Sequence, residues 1–167
     1  MYLSNNIIIM SQYVKIIDGN LLEAKEKYLA HQCNCATIKS AHLAKSVFDK
    51  YPYANTYKSR TYDKSTRSIP GTIDVLGNGS DQRFVINMYA QYYPSKAKYA
   101  NDSYALRMGW FKQCLDEIAK IDSIKDLALP FNCGCGSAGG DWNQYYSEIC
   151  NFANKYKINV VLYRLNV

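Results

Sequence analysis

The sequence predicts an α/β domain built on a mixed sheet with helices on both faces. Three observations carry that prediction. Short apolar runs with strand character alternate with segments whose apolar residues recur every three or four positions. Two of the strands flank Gly77-Asn78-Gly79-Ser80-Asp81, a strong hairpin signal that adds an antiparallel pair to an otherwise crossover topology. Four of the nine glycines fall between residues 134 and 140, after one such strand and before one such helix. A length of 167 residues suits one domain with a real core. With 48% apolar and 20% charged residues the chain is globular rather than disordered.

Residues 1–10 read as a flexible leader or an added strand, and residues 11–167 as the domain. Residues 13–17 form the first core strand, and Asp18-Gly19-Asn20 is a turn. Residues 28–33 form the second strand, which polar Asn34 ends, and a connection runs from Cys35 to His42. Leu43, Ala44, Val47, Phe48 and Tyr51 give a helical apolar stripe that Pro52 stops. Residues 52–71, rich in tyrosine, proline and basic groups, read as a surface excursion with one helical turn. Residues 72–76 and 83–88 are the strands of the hairpin. Residues 89–100 are a polar loop. Asn101, Asp102 or Ser103 caps the next helix, whose core stripe is Tyr104, Met108, Phe111, Leu115 and Ile118. A strand at residues 126–129 leads into the glycine cluster. Trp142, Tyr145, Tyr146, Ile149, Cys150, Ala153 and Tyr156 mark the last helix, and residues 158–163 the final strand.

A net charge of +6 favours an anionic partner, either nucleic acid or a phosphorylated small molecule. The lysines are spread without a basic run, which speaks against nucleic acid. No apolar run approaches a membrane span, and Ile7-Ile8-Ile9-Met10 is too short for a signal-peptide core, so a cytoplasmic protein is expected. Of six cysteines, Cys114 and Cys150 fit helical core positions. The others form Cys33-Asn34-Cys35 and Cys133-Gly134-Cys135, a spacing tighter than structural zinc ligands use, so buried free thiols are expected and no metal. The glycine cluster has two readings. It is an anion site, where the backbone approaches the ligand and the unpaired N–H groups of the helix start point at it. Or it is a tight connection with no ligand. A second loop, Cys35 to His42, would complete the site at the carboxyl ends of the strands.

Four segments, in order, resemble the macro domain, which binds ADP-ribose. They are Ile17-Asp18-Gly19-Asn20-Leu21; His31-Gln32-Cys33-Asn34-Cys35 through Leu43-Ala44 to Lys50-Tyr51-Pro52; Ile86-Asn87-Met88-Tyr89-Ala90-Gln91; and Gly134 through Gly136-Ser137-Ala138-Gly139-Gly140 to Asp141-Trp142. The resemblance is nearest to ADP-ribose-1″-phosphate phosphatase-like proteins of yeast, viruses and phages, and abundant Asn, Ile, Lys and Tyr fit an AT-rich genome of that kind. It implies a three-layer α/β/α sandwich around a mixed sheet. It implies that Asn20, with the Leu21 backbone, meets adenine and that Asn34 hydrogen-bonds the distal ribose. Ser40-Ala41-His42 matches the first phosphate loop and residues 136–140 the second. Asp18, Leu43 and Gly134 complete the implied binding set.

The first loop departs from the family, which usually has glycines there. His42 stands where the backbone presses on the ligand. Its imidazole blocks the site, turns outward, or contacts a terminal phosphate as a charged donor. The catalytic candidates are Asp141, His31, His42 and Asn34. Asp141 fits a helix cap as well as a general acid or base, and Gln144 makes a capping box plausible. His31 fits a buried structural histidine, and the yeast relatives carry histidine there. No covalent nucleophile is evident, so a water would attack, with Asn34 helping to position it. The lysine–aspartate pair of one hydrolase branch is absent, and Ala138 stands about where its aspartate would be. The expected function is binding of ADP-ribose or ADP-ribose-1″-phosphate with hydrolysis at the distal ribose, by a monomer without cofactor. ADP-ribosylated macromolecules are a further ligand class. The rivals are a reader without turnover and a diverged domain that binds another nucleotide or stacks nucleic-acid bases on its tyrosines.

Overall fold

A computed structural model describes residues 10–165; the expected leader therefore lies outside the described residues, apart from Met10. Six strands form one sheet: β1 (Val14–Asp18), β2 (Tyr28–Asn34), β3 (Ile73–Leu76), β4 (Phe84–Gln91), β5 (Asp126–Pro130) and β6 (Asn159–Arg164). Their order is β1-β6-β5-β2-β4-β3. All neighbours are parallel except β3 and β4, the hairpin pair. Three helices accompany them: α1 (His42–Lys50), α2 (Tyr104–Ala119) and α3 (Trp142–Tyr156). The fold is a three-layer α/β/α sandwich with a mixed sheet, as the alternation of the sequence dictates. Among the described residues no helix is long and apolar enough to cross a membrane.

The two sheet faces own separate cores. Phe111, Leu115, Ile118, Ile149 and Phe152 of α2 and α3 pack on Ala30, Ile86, Met88, Leu127 and Leu162. Val47 and Phe48 of α1 pack on Leu29, Cys33, Val85, Tyr89 and Ala128 from the other side. Successive residues of β2 and β4 point to opposite faces, and both faces are covered, so these strands read as nearly continuous apolar runs.

The structure departs from the sequence reading in three places. Strand β4 runs on through Tyr89, Ala90 and Gln91, which read as loop, because Tyr89 and Gln91 pair with Cys33 and Asn34. Tyr104 lies outside the core, and Arg107 is buried in its place on α2. The expected surface excursion, residues 52–71, carries three short 3-10 turns and buries Ala54, Tyr57 and Arg60. Tyr57 packs edge-on against Phe48, and its hydroxyl accepts from the Asn34 N–H at 2.8 Å. Polar side chains mislead periodicity when they are paired inside. Ser103 is the α2 cap, its Oγ accepting from the Leu106 N–H at 3.1 Å.

Lys157, just past α3, sits in the left-handed region with φ 53° and ψ 46° while its N–H closes the helix on the Ala153 carbonyl. Glycine is preferred there because a side chain strains this conformation. Lys157→Gly is expected to stabilise the fold by about 0.5–1 kcal/mol after the entropy of the unfolded glycine is offset. Thermal or urea unfolding checks this, and an unchanged midpoint would refute it.

Candidate functional site

Five parallel strands end on one edge of the sheet, and the connections after β2 and β5 diverge there to form a cleft. Its main part is a cavity of about 530 Å³. One wall is the segment after β2, with Asn34, Thr37, Lys39, Ala41, His42 and Leu43. The other is the segment after β5, with Phe131, Gly134, Gly136, Ser137 and Ala138. Gln32, Gln91 and Ser95 also line it. A second cavity of about 420 Å³ continues past Leu43, Pro130, Phe131 and Asn132 to Gly19, Asn20, Leu21 and Arg164.

Both walls offer unpaired backbone donors. Among the described residues, the N–H groups of Ile38, Lys39, Ser40 and Ala41 meet no acceptor, and α1 begins at His42 with no side-chain cap. The N–H groups of Gly136, Ser137 and Ala138 are likewise unpaired. Unpaired donor arrays on both loops that wall one cleft, one of them at a helix start, suit an extended anion. The glycines divide by role. A Cβ on Gly134 would stand 2.5 Å from the Tyr145 ring, and one on Gly140 would stand 2.6 Å from the Gly134 carbonyl, so packing requires both. A Cβ on Gly136 would meet nothing within 4 Å. Gly136 also lines the cleft.

The second loop is held from behind by Arg107. The guanidinium is 1% exposed and grips Asp102 through two bonds, Nε to Oδ1 at 2.9 Å and Nη2 to Oδ2 at 2.6 Å. It also donates to the Ser95 carbonyl at 2.7 Å and the Ala138 carbonyl at 3.4 Å. Asp102 in turn accepts from the Tyr92 and Tyr93 N–H groups, each at 3.0 Å. Burial raises the Asp102 carboxyl pKa, but Arg107 and these two N–H groups outweigh it and hold it below the usual range.

The expected site residues separate. Asn34, Ala41, His42, Leu43, Gly134, Gly136, Ser137 and Ala138 line the main cavity, and Asn20 and Leu21 the second. Ser40, Gly139 and Gly140 do not line either one, nor do Asp18, His31 and Asp141. Asp18 is paired with Arg164 at 2.9 Å. Asn20 Oδ1 accepts from the Leu22 N–H at 3.0 Å. Asp141 caps α3, its Oδ1 accepting from the Asn143 N–H at 3.0 Å. His31 is fully buried, edge-on to Phe48, with Nε2 2.7 Å from Asn87 Oδ1. Asn87 Nδ2 donates to the Ala54 carbonyl, which leaves Oδ1 to accept and assigns the proton to His31 Nε2.

Asn34 is pinned. Its Oδ1 accepts from the Ala36 and Thr37 N–H groups at 3.0 and 2.9 Å and from Thr37 Oγ1 at 3.0 Å. With Oδ1 occupied in this way, what the amide has left to offer the cleft is its Nδ2 donor. His42 alone of Ser40-Ala41-His42 is left-handed, with φ 53°, while Ala41 is extended at φ −142°. The loop keeps the backbone shape that glycine favours and hangs an exposed imidazole on it. Thiols are close by, but burial pushes Cys35, Cys133 and Cys135 up to about 12, far from thiolate chemistry at neutral pH. Among the described residues, no three His, Cys, Asp or Glu side chains cluster as metal ligands would. Sequence reasoning missed Gln32, Gln91, Ser95 and Arg107. Arg107 had a signal, a charge on the inward stripe of α2.

No family model and no curated protein matches the sequence. Solved structures do match. The macrodomain of Mycobacterium tuberculosis DarG aligns over 92% of this chain and 98% of its own, at 16% identity and a TM-score of 0.69. The macrodomain of Thermus aquaticus DarG aligns over 92% and 98%, at 20% identity and a TM-score of 0.66. Thermosipho africanus DarTG, solved in complex with ADP-ribose, aligns over 92% of this chain and 42% of its own, at 18% identity and a TM-score of 0.64. The chain has the macrodomain fold.

Burial depresses the His31 pKa from 6.5 to about 4, against the pull of its Asn87 hydrogen bond. Between those values the unfolded chain binds the proton and the folded one does not. The contribution is thus complete above pH 6.5 and is lost as pH falls toward 4, by about 3 kcal/mol at the lower end. Urea unfolding at several pH values is expected to follow this slope, and His31→Gln to flatten it. An equal slope in both proteins would refute the assignment.

Proposed function

We propose that the cleft binds ADP-ribose or a close derivative. The observation that carries this reading is the pair of unpaired N–H arrays, at residues 38–41 and 136–138, on the two loops that wall the main cavity. A diphosphate is a ligand that uses both at once. The distal ribose then lies at the Asn34 amide and the adenine toward Asn20 and Leu21. Phe131, tilted on Trp142 at 4.7 Å, offers a ring face between the two cavities. The ADP-ribose held by a structural neighbour supports the same ligand here.

The finer reading is hydrolysis of a 1″-phosphate. Water attacks phosphorus, the bond from phosphorus to O1″ breaks, and His42, which lines the cavity, acts as the general acid toward O1″. Asn34 donates to a ligand oxygen. His31 and Asp141 take structural roles in this scheme, as a core residue and a helix cap. The second reading, a reader without turnover, is favoured by one observation: among the described residues no carboxylate lines the main cavity.

Calorimetry with ADP-ribose tests the binding. Wild type is expected to bind, and Gly136→Val to bind at least about tenfold more weakly at an unchanged melting temperature, because residue 136 lines the cleft and a Cβ there meets no protein atom within 4 Å. Absence of wild-type binding, with binding by His42→Gly, would mean that the imidazole closes the site. Phosphate release from ADP-ribose-1″-phosphate separates the two finer readings: hydrolysis lost in a folded His42→Ala supports the enzyme, and binding without release supports the reader.

A further inference from the structure

The segment between α1 and β3 brings a cation into the interior. Arg60 is 4% exposed. Its Nη1 donates to the Thr37 carbonyl at 2.9 Å and to Asn34 Oδ1 at 3.4 Å. Its Nη2 donates to the Asn34 carbonyl and to Ser68 Oγ, both at 2.8 Å. The guanidinium lies 4.1 Å from the Tyr57 ring centroid. Every one of these partners is neutral, and Nε has no acceptor. Among the described residues no carboxylate forms an ion pair with it. Arg107 is buried to the same degree and is paired with Asp102. An arginine is a cation even when buried, and among the described residues no carboxylate is paired with Arg60.

That charge stands directly behind the cleft. Asn34, Thr37 and Tyr57 touch Arg60 on one side and line the cavity on the other. Two dipoles in this wall turn their oxygens toward it. The Thr37 carbonyl accepts at 2.9 Å, which directs the Ile38 N–H of the same peptide the opposite way, and the Asn34 carboxamide, already fixed by Ala36 and Thr37, adds a longer contact at 3.4 Å. The Ile38 N–H is one of the unpaired donors. A buried charge and the dipoles it orients, fixed before a ligand arrives, favour a new negative charge over a neutral group.

We propose that Arg60 is a specificity-determining, positioning residue that makes the Asn34 end of the cleft prefer a ligand ending in a phosphate dianion over the same ligand ending in a hydroxyl. This rests on the ADP-ribose reading, with the distal ribose at Asn34. Arg60 acts through the Asn34–Thr37 turn and does not itself touch the ligand.

The test compares ADP-ribose with ADP-ribose-1″-phosphate, by competition against labelled ADP-ribose before any turnover. Wild type, Arg60→Lys and Arg60→Met are measured. Wild type is expected to bind the phosphorylated ligand about tenfold more tightly, the size of a typical coupling between sites. Arg60→Met is expected to bring the two affinities together, and Arg60→Lys to keep most of the difference because the charge remains. A merely structural role would weaken both ligands alike and leave their ratio unchanged. Equal affinities in wild type, or an unchanged ratio in a folded Arg60→Met, would overturn the proposal. Should Arg60→Met not fold, the wild-type ratio decides. Failure of wild type to bind either ligand would instead remove the ADP-ribose reading on which the proposal stands.

Discussion

The cleft depends on one buried ion pair. Arg107 and Asp102 are 1% and 0% exposed, and between them they satisfy two N–H groups and three carbonyls of the surrounding loops. Loops carry polar backbone that cannot be buried unpaired. The connection from β4 to α2 is therefore folded around the pair, and the Ala138 carbonyl fastens the second donor array to the same guanidinium. Taking away one partner leaves the other charge buried, at a cost of about 3–5 kcal/mol. The pair stabilises less through its own attraction than through the loop geometry that it makes obligatory.

The sheet adds a second constraint. Parallel strands bring their carboxyl ends to one edge, and covering both faces with helices forces each connection back over that edge. The connections after β2 and β5 are adjacent because those strands are neighbours in the sheet. Close packing then shapes what the topology brings together. Gly134 and Gly140 let the loop lie on Tyr145, and Gly136 is left bare toward the cleft.

The alternation of elements was legible in the sequence because apolar periodicity reports burial directly. The glycine cluster was legible as the turn between β5 and α3 and Asn34 as the polar end of β2, since turns and strand ends demand particular residue types. What the sequence hid was polar burial. Gln91, Arg60, Arg107 and Asp102 look like surface residues, and only their partners, up to 26 positions away for Arg60, explain their places inside. His31 was misleading in the opposite sense. A histidine beside a site asparagine suggests chemistry, but successive residues of a strand face opposite ways, and residue 31 ended in the core with Asn87 and Phe48. Asp141 stands between these cases, because the same residue types cap helices and act as acids.

Two buried arginines support the two walls in different ways, and the difference bears on selectivity. Arg107 is neutralised by Asp102, so it contributes shape and little net charge. Among the described residues Arg60 is met by carbonyls, an amide oxygen, a hydroxyl and the rings of Tyr57 and Tyr89, with no carboxylate, so it contributes both. Around the cleft the protein offers backbone N–H groups and the Asn34 amide, and among the described residues no carboxylate lines it to oppose them. Lysines spread over the surface would attract anions at a distance and be screened by salt. A fixed charge behind a wall of aligned dipoles acts only on a ligand that has already entered, which is how a cleft can select one anion among many.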